Sequence, residues 1–230
     1  DISTGLESQV TTDGAAQMDP DVSGSRIVWQ DHRNVGSDIY MLDVSTGPET
    51  RITTNASDQN LPAISGNIVV WQDYRNGNWD IYMYDISKPS ESEKQITTNT
   101  YDQVYPDISG NYIVWEDYRN GNSDIYMCEF KADGTCIEKQ ITSNTSSQSS
   151  PAISGNRIVW HDTRRNGTTT GIYPADIYMY SGDGIGDNSD NCPFVYNPKS
   201  DWVDKNGTHH MSEQSDYDLD GVGDACDADS

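Results

Sequence analysis

The stretch ISGNIVVWQDYRNGNWDIYMYD, Ile64 to Asp85, reads as two short strands set between two turns. Ser65-Gly66-Asn67 supplies a tight turn. Ile68 to Trp71 follows as a strand rich in β-branched residues. Arg75 to Asn78 then offers Asn and Gly, which accept positive φ. Asp80 to Tyr84 forms the next strand, with Ile81 and Met83 on one face and Tyr82 and Tyr84 on the other. The pattern recurs as VSGSRIVWQDHRNVGSDIYMLD from Val22, ISGNYIVWEDYRNGNSDIYMCE from Ile108 and ISGNRIVWHDTRRNGTTTGIYPADIYMY from Ile153. Trp29, Trp71, Trp115 and Trp160 mark its register at spacings of 42, 44 and 45. A period in the low forties is that of a four-stranded propeller blade.

Two further strands complete each unit. An innermost strand surrounds the Pro-x-Ile-Ser segment, as at Pro62 to Ser65, and a fourth is expected at Arg51–Thr54, Gln95–Thr98 and Gln140–Ser143. The fourth unit runs into an acidic segment after Tyr180 without such a strand. A copy of it, Gln9 to Thr12, instead precedes the first unit. Residues 1–180 are therefore read as an all-β domain, a small β-propeller of four repeats. Its ring is expected to be closed by the N-terminal strand, which would remove an exposed edge. A half-ring completed by a second chain is the alternative.

This stretch resembles the TolB-type propeller repeats of cell-surface proteins. The motif that carries the likeness is Asp-x-Arg-Asn-Gly-Asn-x-Asp-Ile-Tyr-Met-Tyr-Asp, Asp73 to Asp85, and unit four departs from it by an insertion at 166–175. Asp31 and Arg33, Asp73 and Arg75, Asp117 and Arg119, and Asp162 and Arg164 recur in phase. Four identical catalytic sites in one chain are not expected, so these pairs are read as braces of turns and blade contacts. Gln17, Gln59, Gln103 and Gln148, each three positions before a Pro, are read as a structural ring of hydrogen-bonding side chains at a channel mouth.

Composition narrows the class. The formal net charge is -23 with a pI near 4.1 and mean hydropathy of -0.76. Such a chain repels nucleic acid and anionic membranes, and no run is long and apolar enough for a helical membrane span. The chain begins at Asp1 rather than Met, as a processed secreted chain would. Four cysteines, Cys128, Cys136, Cys192 and Cys226, an even count split into two local pairs, suggest disulfides and an oxidising compartment. The first pair would face across a hairpin turn at 131–134. Sequons at Asn55, Asn144, Asn166 and Asn206 are candidate glycosylation sites.

Residues 181–230 form the second region. They hold eleven Asp and one Glu against two Lys, a net charge of −10. Without counter-ions such a segment does not fold. Asp216, Asp218 and Asp220 alternate ahead of Gly221 and Asp224, the spacing by which a chain wraps oxygen ligands around Ca²⁺. Asp183, Asp187 and Asp190 make a second acidic loop, and Asp201, Asp227 and Asp229 add carboxylates. The pieces Asp190-Asn-Cys192-Pro193, Asn197-Pro198 and Asp220-Gly-Val-Gly-Asp224-Ala-Cys226-Asp227-Ala-Asp229 resemble type 3 thrombospondin repeats. The resemblance implies a loop-rich tail organised by Ca²⁺ and a Cys192–Cys226 disulfide. It is interrupted by an insert, residues 202–215, in which His209 and His210 are expected in an exposed polar loop.

Two modules of scaffold type, and no Gly-x-Ser-x-Gly, zinc, phosphate-loop or haem motif, indicate no enzyme and no catalytic residues. The expectation is a secreted, calcium-binding structural protein of the cell surface or matrix, a homo-oligomer or homopolymer assembled head to tail into filaments. The alternative is an extracellular module binding glycans or proteins, with Trp79 and Trp202 free to stack on a sugar. A hydrolase or lyase acting on polysaccharide ranks third.

Overall fold

The computed structural model describes residues 5–131, 135–164 and 175–180, and the backbone of 200–203 and 209–213. Among these residues every regular element is a strand, in four consecutive antiparallel sheets and one hairpin. Blade one is β1 (Gln17–Ser23), β2 (Arg26–Asp31), β3 (Asp38–Asp43) and β4 (Thr50–Arg51). Blade two is β5 (Gln59–Ser65), β6 (Ile68–Asp73), β7 (Asp80–Asp85) and β8 (Lys94–Gln95). Blade three is β9 (Gln103–Ser109), β10 (Tyr112–Asp117), β11 (Asp124–Phe130) and β12 (Cys136–Gln140). Blade four is β13 (Gln148–Ser154), β14 (Arg157–Asp162) and β15 (Asp176–Tyr180). The hairpin is β16 (Ser200–Val203) with β17 (His209–Glu213).

The first turn of each blade is fixed by glycine. Ser65 pairs with Ile68, so the loop is Gly66-Asn67 alone, and Gly66 sits at φ +58. That is the glycine position of a two-residue hairpin whose twist matches its flanking strands. The fourth strands end earlier than expected. Ile96 still donates to the Ile81 carbonyl, but Ile81 N–H donates to the Thr97 hydroxyl at 2.8 Å rather than to backbone. The threonine side chain replaces the ladder, and Ile39 with Thr53 and Ile125 with Thr142 repeat the exchange.

The core is three slabs between blades rather than one centre. Val28, Ile39 and Met41 of blade one meet Ile64, Val69 and Trp71 of blade two. Val70, Ile81 and Met83 meet Ile113, Trp115 and Tyr126. Val114 and Ile125 meet Ile158 and Trp160. β1 lies beside β5, β5 beside β9 and β9 beside β13.

The four repeats are thus four blades of an all-β propeller. The closing strand differs from expectation. Among the described residues blade four has three strands, and Gln9–Thr12 pairs with none of the described strands. It lies instead along its own blade one, where Val10 and Thr11 border a groove with Met18, Ile27 and Trp29. β13 does not flank β1 as the other inner strands flank one another. The segment's register partner is β15, at the far end of the arc, and in this structure the arc is open between them.

Candidate functional site

The Asp and Arg residues of the repeat build one cage per blade. In blade two, Trp71 Nε1 donates to Asp73 Oδ2 at 3.0 Å. Arg75 donates its backbone N–H and Nε to Asp73 Oδ1 at 3.0 and 2.9 Å. The guanidinium lies 4.2 Å from the centroid of Tyr82, whose ring stacks on Trp71. Asn76 Nδ2 donates to Asp80 Oδ2 at 2.8 Å and to the Tyr82 hydroxyl at 3.0 Å. Strand alternation places Trp71 and Asp73 on one face, and the Arg-Asn-Gly turn folds Arg75 and Asn76 back over it. The Trp–Asp, Asp–Arg and Arg–Tyr contacts recur in the other three blades. Their repetition and burial identify them as braces.

The cage carboxylates separate in acidity. Burial raises the Asp31 carboxyl, but the Arg33 guanidinium and the Trp29 indole N–H outweigh it and hold the group below the ordinary range. Asp162 behaves alike, with Arg164 as the main counterweight to burial. Burial prevails at Asp80 and Asp124, which are pushed up despite Asn76 and Asn120. Asp107, half-buried on the channel side, is also raised, with loss of solvent the largest cause and the Asp21 carboxylate adding to it.

The glutamines do not line the channel mouth. Gln59, Gln103 and Gln148 are fully buried, and each donates Nε2 to the carbonyl two residues earlier. The mouth is formed instead by the residue before each Pro. Asp19, Leu61, Tyr105 and Ser150 all take φ between 50 and 53 at a β-bulge. With Pro20, Pro62, Pro106 and Pro151 they line an open cavity of about 300 Å³ along the four inner strands. A non-glycine left-handed residue costs on the order of 1–3 kcal/mol. The neighbouring blade offsets this: Tyr105 N–H donates to Gln72 Oε1 at 3.1 Å and Ser150 N–H to Glu116 Oε2 at 3.0 Å. The signal in the sequence was the repeated x-Pro after Gln, which reads as extended chain rather than a bulge.

Other candidates are placed as follows. Cys128 and Cys136 are joined, their Cα atoms 5.5 Å apart, across β11 and β12. Asn55 and Asn144 each accept the amide two residues on at 2.9 Å, and Asn144 is exposed. Asn166 and Asn206 lie outside the described residues. Trp79 packs against the exposed Tyr74, ring centroids 5.0 Å apart. His209 and His210 fall in strand β17, not in a loop, with His210 opposite Trp202 of β16.

Among the described side chains, no three His, Cys, Asp or Glu lie close enough to hold a metal ion. Asp183, Asp187, Asp190, Asp216, Asp218, Asp220, Asp224, Asp227, Asp229, Cys192 and Cys226 lie outside the described residues. Asp201 is described only as backbone within β16. The donor set is hard carboxylate oxygen, which fits Ca²⁺ rather than softer metals.

The thrombospondin type 3 repeat family model matches residues 180–200 and 215–230. No curated protein sequence matches the chain. Solved structures do, over the propeller. A putative TolB from Agrobacterium tumefaciens superposes with a TM-score of 0.61 at 23% identity, covering 76% of this chain and 65% of that one. TolB from Acinetobacter baumannii gives 0.58 at 22%, covering 74% and 42%. The chain thus spans less than two thirds of either. The propeller domain of the trilobed protease from Pyrococcus furiosus, described as having an open velcro topology, gives 0.53 at 15%, covering 72% and 54%. The propeller fold is therefore shared with TolB structures, and the acidic tail carries a thrombospondin type 3 repeat.

Proposed function

We propose that the chain is a calcium-binding structural protein of the cell surface or extracellular matrix, a secreted, disulfide-bonded glycoprotein that assembles with copies of itself head to tail, as in a filament. The observation that carries this reading is the thrombospondin type 3 match over the acidic tail, joined to a propeller whose recurring charges are spent on its own blades. Repeats of that family bind Ca²⁺ outside cells, and carboxylates at alternate positions from Asp216 to Asp220 supply the ligands. The open arc of blades supports self-assembly, and the open velcro propeller from Pyrococcus furiosus supports a ring left without a closing strand. Calorimetric Ca²⁺ titration with parallel light scattering tests both parts. Heat of binding with growth in scattering mass is expected, whereas a silent titration would remove the calcium reading and an unchanging monomer the assembly.

A second reading, an extracellular glycan- or protein-binding module, is favoured by the Tyr74–Trp79 pair at the rim of blade two. The two rings meet at 57° and form an apolar corner against which the CH face of a sugar can pack. Binding to a glycan array that is lost in Trp79→Ala would support it.

A further inference from the structure

Each internal blade junction is held by the same bonds. The amide of the turn glycine donates to the serine hydroxyl of the preceding blade: Gly66 to Ser23 at 2.9 Å, Gly110 to Ser65 at 3.0 Å and Gly155 to Ser109 at 2.9 Å. The bulge amide donates to the residue after the preceding Trp: Leu61 to Gln30 at 3.4 Å, Tyr105 to Gln72 and Ser150 to Glu116. The amides of Gln59, Gln103 and Gln148 donate to the carbonyls of Ser37, Trp79 and Ser123 at 2.7 to 2.8 Å.

The two ends of the arc carry the halves of a fourth such junction. Blade four presents Ser154, His161 and Ala175 at the positions of Ser65, Gln72 and Trp79, and Ile177 at that of Ile81. Blade one presents Gly24, Asp19 and Gln17 at the positions of Gly66, Leu61 and Gln59. Ile39, Ile81 and Ile125 are wholly buried, whereas Ile177 is 62% exposed. Ile64 and Ile108 are about 5% exposed, whereas Val22 is 62% exposed. Asp19 keeps φ 50 although, among the described strands, none flanks β1 on that side, so the donor half is already shaped. Beside it, Met18, Pro20, Ile27 and Trp29 line an apolar groove of about 270 Å³. Val70 and Ile81 meet Ile113 and Trp115 within the arc; Val159 and Ile177 are their counterparts for Ile27 and Trp29.

Among the described residues blade four has no fourth strand, and Gln9–Thr12 has that strand's sequence. Tyr40 pairs with Arg51, Tyr82 with Gln95 and Tyr126 with Gln140. The same register sets Tyr178 opposite Gln9 and Met179 opposite Ser8. It gives Ile177 N–H the Thr11 hydroxyl, as Ile81 has Thr97. In this structure that hydroxyl is turned to the chain's own Gln17 Oε1 at 3.1 Å.

We infer that blade four receives blade one and the strand Gln9–Thr12 of a second copy of this chain. The inference rests on the self-assembling reading above and names its contact. A second copy is the occupant because the complementary donors and acceptors are the repeat's own, and because the chain's own segment lies at the opposite end of an open arc. The contact is heterologous, so it closes into a ring or propagates as a filament. Its core is apolar and the chain carries a charge of -23, so salt strengthens it by screening repulsion between copies.

The test uses full chains bearing single cysteines. Ser8→Cys and Met179→Cys chains, mixed under mild oxidant, are expected to form a disulfide-linked dimer mapped to those two peptides, since directly opposed strand residues lie within disulfide reach. Ile177→Lys, at an exposed position, is expected to lower the assembled fraction at least tenfold while leaving the thermal midpoint of the monomer unchanged. Assemblies that form without the cross-link and tolerate Ile177→Lys would overturn this contact but leave self-assembly standing. A monomer that never assembles would overturn both. A Ser8→Cys/Met179→Cys double variant linking within one monomer would show that the ring closes on itself.

Discussion

Trp71 and Asp73 stand two residues apart on the same face of β6, and the indole N–H of the first donates to the carboxylate of the second at 3.0 Å, both side chains fully buried. The carboxylate also accepts from Nε and Nη2 of Arg75, whose Nη2 is shared with Glu93. Asp73→Ala would leave the buried indole donor without its acceptor and the partly buried guanidinium with Glu93 alone. Removing one partner of such a pair costs about 3–5 kcal/mol. Urea unfolding should show that loss for Asp73→Ala and a smaller one for Asp73→Asn, which keeps an acceptor oxygen. Arg75→Lys should fall between them, because lysine loses both the bidentate geometry and the stacking on Tyr82.

The Cys128–Cys136 bond closes a short loop, with a sequence separation of 8. Loop-closure entropy for so few residues is worth about 2–3 kcal/mol. Cys128→Ala/Cys136→Ala should therefore lower stability by about that amount without changing the fold. Its effect should concentrate in blade three, read as faster amide exchange along β11 and β12.

Stability should peak in mildly acidic solution rather than at neutral pH. The carboxyls of Asp31 and Asp162 sit below the ordinary range, so their stabilisation is present above the unfolded value and is lost as pH falls through their lower folded values. Asp80, Asp107 and Asp124 sit above it, so their contribution is present below the unfolded value and is lost as pH rises through the folded ones. The two sets together place the maximum at about pH 4–6. Thermal unfolding followed by tryptophan signals, with Ca²⁺ chelated throughout, measures it. Asp80→Asn should flatten the decline toward neutral pH, and a curve that rises steadily to pH 8 would contradict the assignment.

The blades were legible because one period carries them: Trp at fixed phase, glycine where a hairpin turn demands positive φ, and alternation along Asp80 to Tyr84. What escaped was set by side-chain and backbone bonds within and between blades. The early end of β8 depends on Thr97 offering its hydroxyl to Ile81, a choice local pattern does not reveal. Leu61 and Tyr105 take a left-handed backbone before Pro at a bulge, which lets their amides reach Gln30 and Gln72 one blade away. The buried glutamines looked like mouth residues because recurrence marks equivalence, not exposure. Gln9–Thr12 was recognisable as a fourth strand, yet sequence does not say which blade four, its own or a neighbour's, it completes.

The acidic tail gives the most direct test of the calcium reading. Its eleven Asp and one Glu face two Lys, so in the absence of a cation self-repulsion should open it. With Ca²⁺ in excess, residues 181–230 should resist a broad-specificity protease. A chelator should expose cleavage sites beyond Tyr180 first, leaving a fragment that unfolds at the propeller's own temperature. Asp218→Asn and Asp220→Asn each remove a charged ligand and should weaken Ca²⁺ binding by calorimetry, while Asp73→Asn should not. Protease resistance of the tail that survives chelation would mean that something other than Ca²⁺ orders it.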